Sequence, residues 1–326
     1  MKESLKRISF LRQWQTYQYG TQSPQRYLPL WALLSPHFLY NKNIKKGGTV
    51  MYTVEYDLLS EEQTKKYLER IGLSYPQPLV PETLDTLIYA HQCTVPFENI
   101  DTRILHCPVS LSSQDLYRKI VEEKHGGFCF ELNGLFLLLL RSLGFDAYAC
   151  VCRVAAGFTT LRALTHRASI VRLNGKEYLC DVGLGGPMAP FAVEISPLPQ
   201  TKKGETYRVT DTGDGWKMLL RQETSQTEKP VIIFALLPFL AEDFTPLMDA
   251  LLERPDNLFS NHLVINLRTS EGYKNFRDDT LIWRTGKERK EIRYAPRDIP
   301  DMIRDIFGLD YDTDLLFRAL RFPAPQ

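Results

Sequence analysis

A chain of 326 residues with 44% apolar content is long enough for about two domains, or one with appendages, and can supply a sizeable core. Its 40 basic and 39 acidic residues leave a formal charge of +1 and no long run of one sign, which removes the electrostatic case for nucleic acid or an anionic membrane as partner. Six cysteines at irregular spacings, with Cys150-x-Cys152 lacking a second ligand pair, form neither a disulfide framework nor a zinc motif, so reduced thiols in a cytoplasmic protein without a metal are expected.

Residues 1–50 are polar and aromatic-rich without clear periodicity. Their apolar patch LPLWALLSPHFLY is too short and too Pro-broken to cross a membrane, and it lacks the surroundings of a signal peptide. The Lys-Gly-Gly of KKGGTVM can be encoded by a purine-rich stretch resembling a bacterial ribosome-binding site just before Met51. Residues 1–50 are therefore expected to be a poorly structured extension, either translated leader or disordered arm, with the working chain starting at Met51.

From Ser60, SEEQTKKYLERIGL has a helix N-cap, and PETLDTLIYAHQCTV offers a second helix with Pro81 in its first turn and Leu84, Leu87 and Ile88 on one face. SSQDLYRKIVEEK gives a third, capped by Ser112 or Ser113. In HGGFCFELNGLFLLLLRSLGF the pair Gly126-Gly127 offers turn conformations closed to other residues, and a fourth, buried helix is expected to begin close to Cys129. Residues 51–145 thus read as a helical bundle. After Gly144 the period changes to two. DAYACVCRV, HRASIVRL and KEYLCDVGL read as strands, with Asn174-Gly175 marking a hairpin between the last two. More β-structure is expected from PLPQTKKGETYRV through WKMLLRQ, then a helix near FTPLMDALLE, strands in HLVINLRT and TLIWRT, and a closing helix in DIPDMIRDIFGL. Helices followed by strands predict an α+β class.

At a helix start, unpaired N–H groups and the helix dipole favour a thiolate, so Cys129 is a candidate nucleophile; a small apolar core residue is the competing reading. A nucleophile needs a base, and the hairpin selects one from six histidines. If Asn174-Gly175 is a two-residue turn, Leu173 pairs with Lys176, His166 lies opposite Gly183 and Asp181 opposite Ala168. His166 and Asp181 then share a face as diagonal neighbours roughly 7–8 Å apart at the backbone, a gap their side chains can close. A three-residue loop would send Asp181 to the other face.

VPFENID, KHGGFCFELNGLF and LTHRASIVRLNGKEYLCDVGLGG, with helices preceding strands, together resemble the arylamine N-acetyltransferases over 51–326. The resemblance implies an N-terminal helical bundle (51–145), a central antiparallel β-barrel (146–240) and a C-terminal α/β lid (241–326) around a papain-like catalytic core. It implies Cys129 as nucleophile, His166 as base and Asp181 as the orienting acid. It also implies acetyl-CoA as co-substrate, a ping-pong reaction through a thioester, and aromatic amine, hydrazine or arylhydroxylamine acceptors. Phe97 and Leu184 fall on acceptor-pocket positions, with core packing as the other reading of Phe97. Two departures stand out: His125 replaces the arginine usual before the glycine pair, and Leu184 replaces a phenylalanine. The rival readings are an amide synthase acting on a bound acyl chain, a papain-like amide hydrolase, and a silent binding protein that would need no such triad.

Overall fold

Ser60 starts the first helix, α1 (Glu61–Arg70), through a reciprocal cap. Its hydroxyl accepts from the Gln63 N–H at 3.2 Å, and the Gln63 side-chain oxygen accepts from the Ser60 N–H at 2.9 Å. This computed structural model describes residues 54–321 apart from 187, 256 and 287, so the expectations for residues 1–50 and for a start at Met51 lie outside the described residues.

Pro81 occupies the first turn of α2 (Pro81–Thr94), where its missing N–H costs nothing. A two-residue strand β1 (Phe97–Glu98) and the short α3 (Ile100–Arg103) follow. Ser112, rather than Ser113, caps α4 (Ser113–Tyr117) by accepting from the Asp115 N–H at 3.1 Å, and the helix widens directly into a π-helical turn over Arg118–Glu122. Next comes α5 (Cys129–Ser142), whose residues from Cys129 to Leu140 are all buried, the polar Glu131 and Asn133 included.

Eight strands form one antiparallel sheet: β2 (Asp146–Val154), β3 (His166–Leu173), β4 (Lys176–Cys180), β5 (Val193–Glu194), β6 (Gln200–Lys202), β7 (Glu205–Asp211), β8 (Trp216–Thr224) and β9 (Thr227–Ala235). Their order is β5-β4-β3-β2-β9-β8-β7-β6. The sheet curls until Val209 on β7 donates to the Ser196 carbonyl beyond β5 at 2.9 Å, so the barrel is nearly closed. Leu173 pairs with Lys176 across Asn174 and Gly175, both at positive φ (53° and 76°), the pattern a two-residue hairpin needs. The expected strand KEYLCDVGL stops at Cys180. Beyond it the Asp181 carboxylate accepts from the Gly183 N–H at 2.8 Å and the Val182 N–H donates to Asn133 of α5 at 2.9 Å, so these backbone donors are taken by side chains and not by the ladder.

The remaining chain forms α6 (Phe244–Leu252), α7 (Leu258–Asn261), the strands β10 (Val264–Arg268), β11 (Gly272–Arg277), β12 (Thr280–Thr285) and β13 (Glu288–Arg293), then α8 (Ile299–Phe307) and α9 (Thr313–Arg321). The second sheet has the order β1-β10-β11-β12-β13, so Phe97 and Glu98 from the early helical region pair with Asn266 and Ile265 far along the chain. Ile299, Met302, Ile303 and Phe307 of α8 pack with Ile265, Phe276 and Leu281 of this sheet in a separate core. No described helix is long and apolar enough to cross a membrane.

Candidate active site

The loop before α5 is held by β1. Phe97 bridges to Gly127, and the Glu98 N–H donates to the Gly127 carbonyl at 2.9 Å. Neither Gly126 nor Gly127 has the positive φ expected of a turn glycine; that conformation belongs to Lys124, at 56°. The glycines serve close approach instead. A Cβ on Gly126 would press into the Pro96 carbonyl and lie 2.7 Å from Glu98 Cγ, and one on Gly127 would lie 2.9 Å from the Glu131 carboxylate. Phe128 at the N-cap offers no side-chain acceptor, so Glu131 turns back to accept from the Phe128 N–H at 3.0 Å.

Cys129 thus opens α5 with its Sγ 3.5 Å from the Thr165 carbonyl, directly before His166. His166 begins β3 and its Nε2 lies 2.5 Å from Asp181 Oδ2, with Cys129 close enough to its imidazole to raise its basicity. With Nε2 committed to Asp181, Nδ1 is the ring nitrogen left to exchange a proton with a thiol. All three side chains are buried. Burial alone would lower the basicity of His166, but the Asp181 charge and hydrogen bond, joined by Cys129, outweigh it and raise its pKa from 6.5 to about 10. The imidazolium is therefore the favoured form at neutral pH.

Asn133 holds this arrangement together from one turn further along α5. Its Nδ2 donates to Asp181 Oδ1 at 2.8 Å and to the Arg167 carbonyl at 2.6 Å, and its Oδ1 accepts from the Val182 N–H at 2.9 Å. Gly183 must be small, since a Cβ there would sit 2.9 Å from Asn133 Nδ2 and 3.1 Å from Cys129 Cα. Behind Asp181, Gln92 donates to the Asp181 and Ala189 carbonyls, each at 3.0 Å, and accepts from Arg268 Nε at 2.8 Å. The sequence reading did not find Gln92, Asn133 or Arg268. Asn133 carried the one available signal, a polar residue inside an apolar helix that must find partners when buried.

Phe97 and Leu184 line a common narrow cleft, with Gln92, Arg268, Tyr273 and Asn275 supplying polar walls. Gly185, at φ +71°, lies flat on the Phe97 ring, where a Cβ would come within 2.7 Å. Cys129, His166 and Asp181 are not part of this lining.

His125 takes no part in the cysteine–histidine pair. Its ring stacks on Tyr311 with centroids 3.6 Å apart, and its Nε2 lies 3.3 Å from the Asp310 carbonyl. It borders a buried charge cluster in which Lys119 contacts Glu131 and Asp101, each at 2.7 Å, and Glu98 at 4.0 Å. One ammonium serves three carboxylates. Burial raises the Glu98 carboxyl to about 7 against the pull of Lys119, with Asp101 and Glu131 adding to the rise. Folded Glu98 therefore holds its proton where the unfolded chain, at 4.5, has lost it, and stability falls as pH climbs between those values. Glu98→Gln should remove that loss. Thermal melts at pH 5 and pH 8 should show the variant gaining on the parent by about 1–3 kcal/mol at the higher pH; equal pH dependence in both proteins would place the proton elsewhere in the cluster.

The sequence model of the N-acetyltransferase family matches residues 81–316. The arylamine N-acetyltransferase of Mycolicibacterium smegmatis is 32% identical over 254 residues, covering 75% of this chain and 90% of that one. A solved M. smegmatis arylamine N-acetyltransferase superposes with a TM-score of 0.71 at 29% identity, covering 78% of this chain and 97% of that structure. Proansamycin X synthase of Amycolatopsis mediterranei is 31% identical over 158 residues, 48% of this chain and 61% of its own length. Matched across most of its length in sequence and in fold, the chain belongs to the arylamine N-acetyltransferase family.

Proposed function

We propose that the protein transfers acetyl from acetyl-CoA to arylamines, arylhydrazines or arylhydroxylamines through a ping-pong cycle on a Cys129–His166–Asp181 triad. The carrying observation is the buried His166–Asp181 pair at 2.5 Å beside a buried cysteine at a helix start, whose Sγ lies 3.5 Å from the carbonyl of the residue preceding His166. The Cys129 thiolate attacks the acetyl carbonyl, a C–S bond forms, and the coenzyme A thiolate leaves with the proton held on His166 Nδ1. The amine then attacks the acetyl-cysteine thioester and passes a proton back to His166, and the thiolate departs with the amide released. Asp181 fixes the imidazole and stabilises its cation. The Cys129 backbone N–H at the helix start is the candidate donor to the oxyanion. In this reading, residues 51–145 carry the nucleophile, 146–240 the histidine and aspartate, and 241–326 the lid, in a cytoplasmic enzyme that uses no metal.

The relative named as a synthase supports one alternative, an amide synthase acting on a bound acyl chain; a papain-like amide hydrolase is the other. One assay separates them. Incubation with acetyl-CoA and an aniline or hydrazine should release free thiol in step with acetylated amine, while a peptide offered in parallel stays uncut. Peptide cleavage without acceptor acetylation would replace the transferase reading with a hydrolase.

Phe97 and Leu184 are proposed as walls of the acceptor pocket. Leu184→Phe should add an aromatic edge contact and lower KM for aromatic acceptors about 2–10-fold with little change for hydrazine itself. An equal effect on both acceptors would remove Leu184 from the pocket.

A further inference from the structure

Along β3, His166 turns toward the barrel interior with Ala168 and Ile170, whereas Arg167 takes the other side with Val171, facing the helices. Arg167 is only 2% exposed, its Nε has no hydrogen-bond partner, and no described carboxylate forms an ion pair with it. Its guanidinium carbon lies 4.5 Å above the Phe244 ring. Space for it is made at Gly134, where a Cβ would lie 3.1 Å from Arg167 Nη1 and 3.1 Å from Leu116. A cation this deeply buried is ordinarily matched by a carboxylate or phosphate, because desolvation outweighs what a ring face alone returns.

Arg167 borders a cleft of about 510 Å³ whose lining includes none of Cys129, His166 and Asp181. Several other polar groups of the wall are already engaged. Tyr56 donates to the Phe239 carbonyl and accepts from the Ala149 N–H, Ser110 and Ser112 donate to Asp115, and Ser113 donates to Asp57. Leu116, Leu138 and Met248 supply an apolar wall, and the exposed Glu55, Asp57 and Glu242 supply negative charge. The charge pattern is thus a buried cation facing an acidic, solvent-exposed margin.

We propose that this cleft binds a small amino-carboxylate, with its carboxylate on Arg167, its apolar body along Leu116, Leu138 and Met248, and its ammonium among Glu55, Asp57 and Glu242. A plain anion would meet the acidic margin as repulsion, and a plain amine would leave Arg167 uncompensated. Only a ligand carrying both charges satisfies both ends.

The test is calorimetric titration of the full chain, without acyl donor and at constant ionic strength, with 6-aminohexanoate, hexanoate and hexylamine. The expected order places 6-aminohexanoate about tenfold tighter than either single-charge probe. Arg167→Gln should weaken 6-aminohexanoate and hexanoate about tenfold and leave hexylamine unchanged. Because removing a buried arginine could cost the fold, the exposed Glu242→Gln gives an independent reading of opposite sign. It should weaken 6-aminohexanoate and strengthen hexanoate. Prior alkylation of Cys129 should leave all affinities as they were. Equal binding of the three probes, loss of hexanoate together with 6-aminohexanoate in Glu242→Gln, or abolition of binding by alkylation would overturn the proposal.

Discussion

Cys129→Ser should take up no acetyl group from acetyl-CoA alone, where the parent protein shows one adduct by intact mass, and its turnover should fall by more than about 10³-fold. A serine hydroxyl beside this histidine is a far weaker nucleophile than a thiolate. The fold should survive. Serine is smaller than cysteine and nearly isosteric with it, so the start of α5 can accept it without a clash. An unchanged melting temperature with no adduct is the expected pair of results. An adduct forming in the variant at the parental rate would move the nucleophile to another residue.

Local chemistry made some elements readable and left others hidden. β2, β3 and the Asn174-Gly175 turn follow from alternation and from a dipeptide suited to two positive φ angles. β9 was not read, because Pro230 interrupts its run; the fold accommodates the proline through a register shift opposite Leu219 and Leu220. β1 is two residues long and exists only because β10 pairs with it, a contact between segments remote in sequence that no local pattern announces. Gln92 was illegible for the same reason. It looks like an ordinary helix residue until Asp181, Ala189 and Arg268 arrive around it. The hairpin register drew Asp181 to His166, although the ladder itself ends at Cys180. The carboxylate reaches the imidazole from just past the strand, steered by Asn133 and the Gly183 N–H.

That steering gives Asp181→Asn a specific outcome. Asp181 Oδ1 accepts from both Asn133 and Gly183 at 2.8 Å, so in the variant the amide carbonyl must take the Oδ1 position and the NH₂ group must face His166 Nε2. A donor there turns Nε2 into an acceptor and places the imidazole proton on Nδ1. The neutral ring then offers Cys129 an N–H where it needs a base. Acetylation of Cys129 should slow by about 10⁴-fold, the order of loss that the wrong imidazole tautomer causes in a serine-protease triad. Stability supplies a second readout. The parental His166, raised from 6.5 to about 10, contributes stability that is complete below pH 6.5 and is lost as pH rises through 10. The asparagine variant lacks the charge that raises it, so its stability should start lower and change less between pH 6.5 and 10. Urea melts across that interval, run beside single-turnover acetylation, test both halves together. A variant that acetylates at the parental rate with the parental pH slope would mean that Asp181 neither orients His166 nor holds its proton.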